Sequence, residues 1–163
     1  MIYRVAKPKD LEEILSMKNK VKERVIEENL PIWLNGYPLD SMIEEDINSL
    51  EGRVVTINDE IVAYAVFIDT TKEYGEYNIF DTKDLYSFGR VMVKDGFTGK
   101  GVGKFLVSNM IDEAKNLNKK GMKITADSCN DKALKLYKSF GFEKEGEYAF
   151  EYAYLDIYGL NFK

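Results

Sequence analysis

Apolar side chains recur along the chain at two different spacings, and stretches with the two spacings alternate. Residues 11–28 and 102–118 carry them three and four positions apart, as an amphipathic helix does. Residues 53–57, 61–68 and 85–93 are instead short runs of apolar and β-branched residues, which favours strands. The pattern predicts the order β-α-α-β-β-β-α-β-α-β-β, in which the other elements occupy residues 2–5, 41–50, 122–126, 131–140 and 142–158.

Capping and turn residues set the ends of these elements. Asp10 followed by Glu13 predicts an N-cap with a capping-box partner at the start of the first helix. Asn58-Asp59 between two strands predicts the turn of an antiparallel hairpin. Gly121 predicts the end of the helix before it, and the polar stretch 70–83 predicts a loop on the substrate side.

Composition favours one globular domain spanning residues 1–163, because 45% of the 163 residues are hydrophobic and a chain of this length buries a sizeable core. Lys and Arg number 23 against 28 Asp and Glu, a formal charge of -5, which is the wrong sign for a nucleic-acid partner. No apolar run approaches the about 20 residues that span a bilayer, so we expect a cytoplasmic protein without a membrane partner. On the first helix, Lys18 is predicted to face solvent. The sequence is also compatible with a homodimer.

Cysteine and histidine usage narrows the chemistry. Cys129 is the one cysteine, so the chain has no internal disulfide, and there is no histidine. The commonest zinc ligand and the commonest general base are therefore both absent, and no metal site is predicted. Any catalysis must proceed without imidazole.

A glycine-rich turn lies between a predicted strand and a predicted helix. Glycines at 99, 101 and 103 let consecutive backbone N–H groups converge beside the helix start, which suits a phosphate or a diphosphate. A dinucleotide fingerprint would require glycine where Lys104 stands, and a nucleoside-triphosphate loop would require glycine at Thr98 and a hydroxyl at Phe105. Either a diphosphate-binding loop of another kind or a merely tight strand-to-helix turn remains.

A second segment downstream helps to distinguish a diphosphate-binding loop from a structural turn. Asn130, Ala133, Leu136-Tyr137 and Gly141-Phe142 form the pattern Asn-x-x-Ala-x-x-Leu-Tyr-x-x-x-Gly-Phe. Together with the glycine-rich turn, this segment resembles the GNAT superfamily of N-acetyltransferases. The resemblance implies an α/β fold with a mixed, mostly antiparallel central sheet, flanked by helices and splayed between the fourth and fifth strands. It also implies acetyl-CoA as the donor of an acyl group that passes directly to an amine.

The resemblance also implies roles for particular residues. The main chain of the fourth strand would hold the pantetheine arm, and one N–H there would polarise the thioester carbonyl. Thr98 stands where the family usually has Arg or Gln, so one side-chain contact to the cofactor is missing. Tyr137 would protonate the departing thiolate, unless it is a core aromatic, and Asn130 would bind the cofactor, cap a helix, or do both. The implied cofactor-binding residues are Val91, Met92, Val93, Thr98, Gly99, Lys100, Gly101, Val102, Gly103, Lys104 and Asn130.

The general base stays open among three carboxylates, Glu44, Glu76 and Asp127. An acyl-enzyme on Cys129 would lack an activating partner. Without a resolved base, two kinds of function compete with direct transfer. One is a non-catalytic acyl-CoA-binding sensor, and the other is a phosphate-loop hydrolase that would require magnesium and ATP.

The acceptor is expected to contact Trp33, Tyr37 and Arg90. The segment from Trp33 to Pro38 resembles the Trp-x-x-x-Tyr-Pro segment of some small bacterial acetyltransferases, although Gly89-Arg90 stands where those often have His-Arg. The two aromatics could equally pack the loop down. The sequence thus predicts an N-acetyltransferase that moves an acetyl group from acetyl-CoA to a primary amine of a small molecule or a protein.

Overall fold

The computed structural model describes residues 1–74, 83–150 and 153–163. Helices alternate with strands in the predicted order, with one short helix added after the third strand. The strands are β1 (Ile2–Val5), β2 (Gly52–Ile57), β3 (Glu60–Asp69), β4 (Leu85–Val93), β5 (Gly121–Asp127), β6 (Glu143–Phe150) and β7 (Ala153–Asn161). The helices are α1 (Leu11–Glu27), α2 (Asp40–Asn48), α3 (Thr70–Tyr74), α4 (Val102–Asn116) and α5 (Asp131–Ser139), and a 3-10 turn at Pro8–Asp10 precedes α1.

The strands form a seven-stranded sheet in the order β1-β2-β3-β4-β5-β7-β6. The pairs β1/β2, β2/β3, β5/β7 and β6/β7 are antiparallel, whereas β4 and β5 run parallel. The register of β4 with β5 comprises Leu85↔Gly121 and Tyr86↔Met122, while β5 pairs with β7 along its whole length. The predicted mixed sheet, splayed between the fourth and fifth strands, is therefore confirmed.

The predicted hairpin is also confirmed. Asn58 and Asp59 have φ values of 49° and 65°, and Ile57 pairs with Glu60 across them. Two left-handed residues give the turn a twist that matches the flanking strands, and Asn and Asp tolerate that conformation better than most residues.

Three predictions about where elements begin and end were wrong. Gly121 does not end a helix: it begins β5, where an added Cβ would lie 2.4 Å from the carbonyl oxygen of Leu160, so close strand pairing requires the glycine. The segment predicted as a loop from residue 70 begins with helix α3, and residues 75–82 of it, including Glu76, lie outside the described residues. Asp10 does not cap α1 through its side chain, because its carboxylate accepts the Lys7 backbone N–H at 2.8 Å and pairs with Arg4.

The chain divides into two compact units. The first comprises Met1–Val66 and Arg90–Val107, and its core is built from α1, α2, β2, β3 and the end of β4. Lys18 is buried in this unit and pairs with Asp40, which corrects the prediction that it faces solvent. A buried ammonium needs a partner of opposite charge, and the start of α2 supplies one.

The second unit comprises Phe67–Gly89 and Ser108–Lys163. An aromatic cluster lies in its core, where the rings of Phe88, Tyr137 and Phe142 meet edge to face with centroids 5.3 to 6.2 Å apart. Such T-shaped contacts add to the stability that burial alone provides.

Candidate active site

The predicted pantetheine-binding segment, Val91–Val93, lies at the end of β4 in the first unit. Met92 is buried in the core of this unit, and Val91 and Val93 are half-buried. Arg24 of α1 directs both terminal nitrogens at the carbonyl oxygen of Val93, 3.4 Å away, and pairs with Asp95. The guanidinium thereby ties the strand end and the following loop to the first helix.

The glycine-rich loop follows directly and is open. Gly99 and Gly101 have φ values of 73° and 82°, and a Cβ added to either would meet no atom within 4 Å. The Phe105 N–H donates to the carbonyl of Gly101 at 2.9 Å, so the amides of residues 102–104 precede the first bonded turn of α4. Helix-start amides of this kind bind anions, and the space in front of the glycines leaves room for one.

The loop side chains lie around this opening. Thr98, Lys100 and Lys104 are exposed, and the Lys100 ammonium lies 5.7 Å from the centre of the Phe97 ring. Val102 is buried and fixes the first turn of α4 to the core of its unit, whereas Gly103 is half-buried. The loop therefore offers main-chain donors and two lysines, with no carboxylate among residues 96–104.

In the second unit, Asn130 caps α5. Its side-chain oxygen accepts the Ala133 N–H at 3.3 Å, and its own N–H donates to the carbonyl of Asp127 at 3.0 Å. The capping role is therefore observed, and the cofactor contact of Asn130 remains a prediction. These bonds connect the end of β5 to the helix that carries Tyr137.

Tyr137 is 6% exposed, and its ring belongs to the aromatic cluster with Phe88 and Phe142. Within the described part of the chain, its hydroxyl makes no hydrogen bond. Burial and then the nearby charge of Asp127 raise the pKa of Tyr137 well above its ordinary value. The phenol therefore keeps its proton at neutral pH, as a general acid must.

Among the three candidate bases, Asp127 is the one that the described structure distinguishes. It ends β5, is half-buried, and burial raises its pKa above the ordinary aspartate value. Glu44 is exposed on α2, and Glu76 lies outside the described residues. Burial and the charge of Asp127 also raise the pKa of Cys129, which disfavours a nucleophilic thiolate there.

Arg90 is held by a buried polar network in the first unit. Its Nε and Nη2 donate to the two carboxylate oxygens of Asp46 at 2.9 and 2.8 Å, and its Nη1 donates to the Tyr37 hydroxyl at 3.2 Å. The Tyr64 hydroxyl donates to Asp46 at 2.6 Å. The structure thus brings together two of the residues predicted to contact the acceptor, Tyr37 and Arg90.

No catalytic or binding role was predicted for Asp46 or Tyr64 from the sequence. A signal was present, since Asp46 adjoins Ile47 and follows Ile43 by three positions, which places a carboxylate on the buried side of α2. Such a carboxylate requires a partner, but the spacing does not identify which one. Trp33, the third predicted acceptor residue, is partly buried and packs against the same core.

The described residues lack both a metal-binding cluster and a membrane-spanning helix. No group of three or more acidic or cysteine side chains there could hold a metal ion. None of the helices described is both long and apolar enough to cross a membrane.

A model of the Acetyltransferase (GNAT) family matches residues 22–142. Over 100 residues, 60% of the chain, the sequence is 31% identical to the L-amino acid N-acyltransferase MnaT of Escherichia coli K12. The match covers 54% of that protein, so the chain spans about half the length of this curated relative.

Solved structures agree in fold. A GNAT-family acetyltransferase from Streptococcus agalactiae superposes with a TM-score of 0.86 at 17% identity, covering 99% of this chain and 95% of that one. The yncA protein of Salmonella typhimurium, solved with its cofactor acetyl-CoA, superposes with a TM-score of 0.69 at 23% identity, covering 98% and 92%.

Proposed function

Because the chain belongs to the Acetyltransferase (GNAT) family, we propose that it is an N-acetyltransferase that moves the acetyl group of acetyl-CoA to a primary amine. The observation that carries the proposal is the open loop, in which Gly99 and Gly101 adopt left-handed conformations with no atom in front of them. That space fits a diphosphate held by main-chain amides.

Acetyl-CoA, when bound, supplies the thioester whose acyl group passes to the amine. The residues proposed to hold its diphosphate are those of the loop, with Lys100 and Lys104 adding positive charge. Main-chain N–H groups of Val91–Val93 would stabilise the negative charge that develops on the carbonyl oxygen. Removing one such donor costs about 100- to 1000-fold in rate in other enzymes, so the position of this segment matters more than its side chains.

Two side chains of the second unit are proposed to handle protons. Tyr137 keeps a proton on its hydroxyl for the departing thiolate, and Asp127 takes a proton from the acceptor ammonium, directly or through water. The electrostatic interaction between them supports the division of roles, because an ionised Asp127 keeps Tyr137 protonated. An ionised Asp127 can therefore accept a proton while Tyr137 keeps its own.

The proposal is tested by release of the CoA thiol from acetyl-CoA, measured over a panel of polyamines, amino acids, aminoglycosides and peptides with free N-termini. We expect amine-dependent thiol release with at least one of these classes and formation of the N-acetylated product by mass spectrometry. If acetyl-CoA binds but none of the amine classes causes thiol release, transferase activity is contradicted. It would favour the sensor, for which the missing Arg or Gln at Thr98 is the supporting observation.

Substitution of Asp127 by asparagine separates catalysis from stability. With Asp127 as the base, turnover must rise with pH through its pKa, which burial places above the ordinary value, and Asp127→Asn should lose this acidic limb and about 100-fold in kcat. A carboxyl whose pKa is raised by folding contributes stability when protonated and loses it as pH rises through that pKa. At pH 7 the variant should therefore unfold at the same or a higher temperature than the wild type. A normal pH profile in Asp127→Asn would remove Asp127 from the mechanism.

A further inference from the structure

The backbone of Arg90 is left-handed in the middle of a strand. Its φ is 51°, although β4 extends from Leu85 to Val93 on both sides of it. A residue with a Cβ carries a steric cost in this conformation, and glycine is the usual choice where a chain requires it. Some other interaction must therefore hold residue 90 in place.

The side chain of Arg90 provides that interaction. Its guanidinium makes two parallel bonds to the carboxylate of Asp46 and a third to Tyr37. Bidentate pairs of this kind fix the direction as well as the distance between the two groups. The carboxylate is itself constrained, because Asp46 is 3% exposed on α2 and accepts the hydroxyl of the fully buried Tyr64.

A buried ion pair cannot give up either partner cheaply, since the remaining charge would be left without solvent or a counter-charge. An alternative backbone conformation at residue 90 would redirect the side chain and break the pair. The network therefore makes the left-handed conformation the favoured one at this position.

We propose that Asp46 is a positioning residue that acts through Arg90 to set the main chain of Val91–Val93, the segment proposed to hold the acyl-CoA thioester. This inference rests on the proposed function. The segment begins one residue after Arg90, so a change in φ at residue 90 redirects every main-chain group that follows. Misplacing such groups by about 1 Å costs about 100-fold in enzymes that depend on position.

Two variants at residue 90 test the inference, because both delete the guanidinium and they differ only by the Cβ methyl group that sets the backbone preference. Glycine adopts the left-handed conformation freely, whereas alanine does not. Arg90→Ala should therefore bind acetyl-CoA about five- to thirty-fold more weakly than Arg90→Gly in isothermal calorimetry. Arg90→Gly should stay within about fivefold of the wild type, the range set by the entropy of glycine. Any loss of an acceptor contact is common to both variants and cancels.

A second comparison concerns Asp46 itself. Asp46→Asn should weaken acetyl-CoA binding in the wild-type background but have much less effect on top of Arg90→Gly, where no guanidinium remains to be held. Glu45→Gln is the matched control, since Glu45 is the exposed neighbour of Asp46 on the same helix and bonds only Ser49 among the described residues. A purely structural role for Asp46 would give the same loss of affinity in both backgrounds.

The outcomes separate this inference from the function on which it rests. Equal acetyl-CoA affinities for Arg90→Ala and Arg90→Gly would overturn the positioning role even if the wild type transfers acetyl groups normally. Failure of the wild type to bind acetyl-CoA would overturn the proposed function, and the positioning role with it. Where a residue 90 variant does not fold, Asp46→Asn and Glu45→Gln are compared in the wild-type background by acetyl-CoA affinity and by thermal unfolding. Loss of affinity confined to Asp46→Asn at an unchanged unfolding temperature supports the role, whereas normal affinity, or a loss that accompanies a fall in unfolding temperature, refutes it.

Discussion

Gly101→Asp should abolish acetyl-CoA binding, with affinity falling by at least about 100-fold. Two costs add at this position. Gly101 has a φ of 82°, where a residue with a side chain is strained by about 1–3 kcal/mol. The new carboxylate would also occupy the open space proposed for the diphosphate, and juxtaposed like charges cost several kcal/mol. Calorimetric titration with acetyl-CoA measures the effect.

Two control variants separate these costs. Gly101→Asn has the same shape without the charge, so it should retain more affinity than Gly101→Asp. Gly96→Asp carries the same charge at a glycine with the same φ of 82° and equally open surroundings, but outside the Gly-x-Gly-x-Gly run. We expect it to bind acetyl-CoA with a much smaller loss. If Gly96→Asp were as damaging as Gly101→Asp, the loop would have no specific role in binding.

Tyr137→Phe should lower kcat by about 100-fold or more, the contribution typical of a positioned general acid. The substitution keeps the ring and its contacts with Phe88 and Phe142, and the hydroxyl that it removes has no hydrogen-bond partner within the described residues. The free energy of unfolding and the affinity for acetyl-CoA should therefore change little. Steady-state kinetics with a reactive amine, together with thermal unfolding, measure both effects.

Tyr158→Phe is the matched control, because Tyr158 is another buried tyrosine of the second unit. This variant should keep wild-type kinetics. An unchanged kcat in Tyr137→Phe would return Tyr137 to the alternative that the sequence allows, a core aromatic without a chemical role. A fall in kcat that is accompanied by a clear fall in the free energy of unfolding would also indicate a core aromatic without a chemical role.

Local features of the chain were predictable from the sequence. The limits of β4 at Leu85–Val93 follow from its apolar run, and the left-handed turn at Asn58-Asp59 follows from residue types that tolerate it. The glycine-rich loop was found for the same reason, since glycine marks positions where the backbone requires φ > 0. Each of these features depends on the residue types within a few positions, so the local sequence is enough to predict it.

Interactions between distant residues were not predictable in this way. Asp46 and Arg90 are 44 positions apart, and Lys18 and Asp40 are 22 apart. Hydrophobic periodicity identifies which side of a helix is buried, but it does not say which charge will meet a buried carboxylate or ammonium. The prediction for Gly121 is wrong because a glycine that ends a helix and a glycine that admits a neighbouring strand look alike in sequence.

The left-handed backbone of Arg90 restricts which substitutions related sequences can accept. A glycine at position 90 would adopt the same conformation without help from other side chains, so substitutions at other positions would not change it. Here the conformation depends on Arg90, Asp46, Tyr64 and Tyr37 together. Relatives that exchange any one of them must accept a compensating change at another, so these four positions should vary as a group.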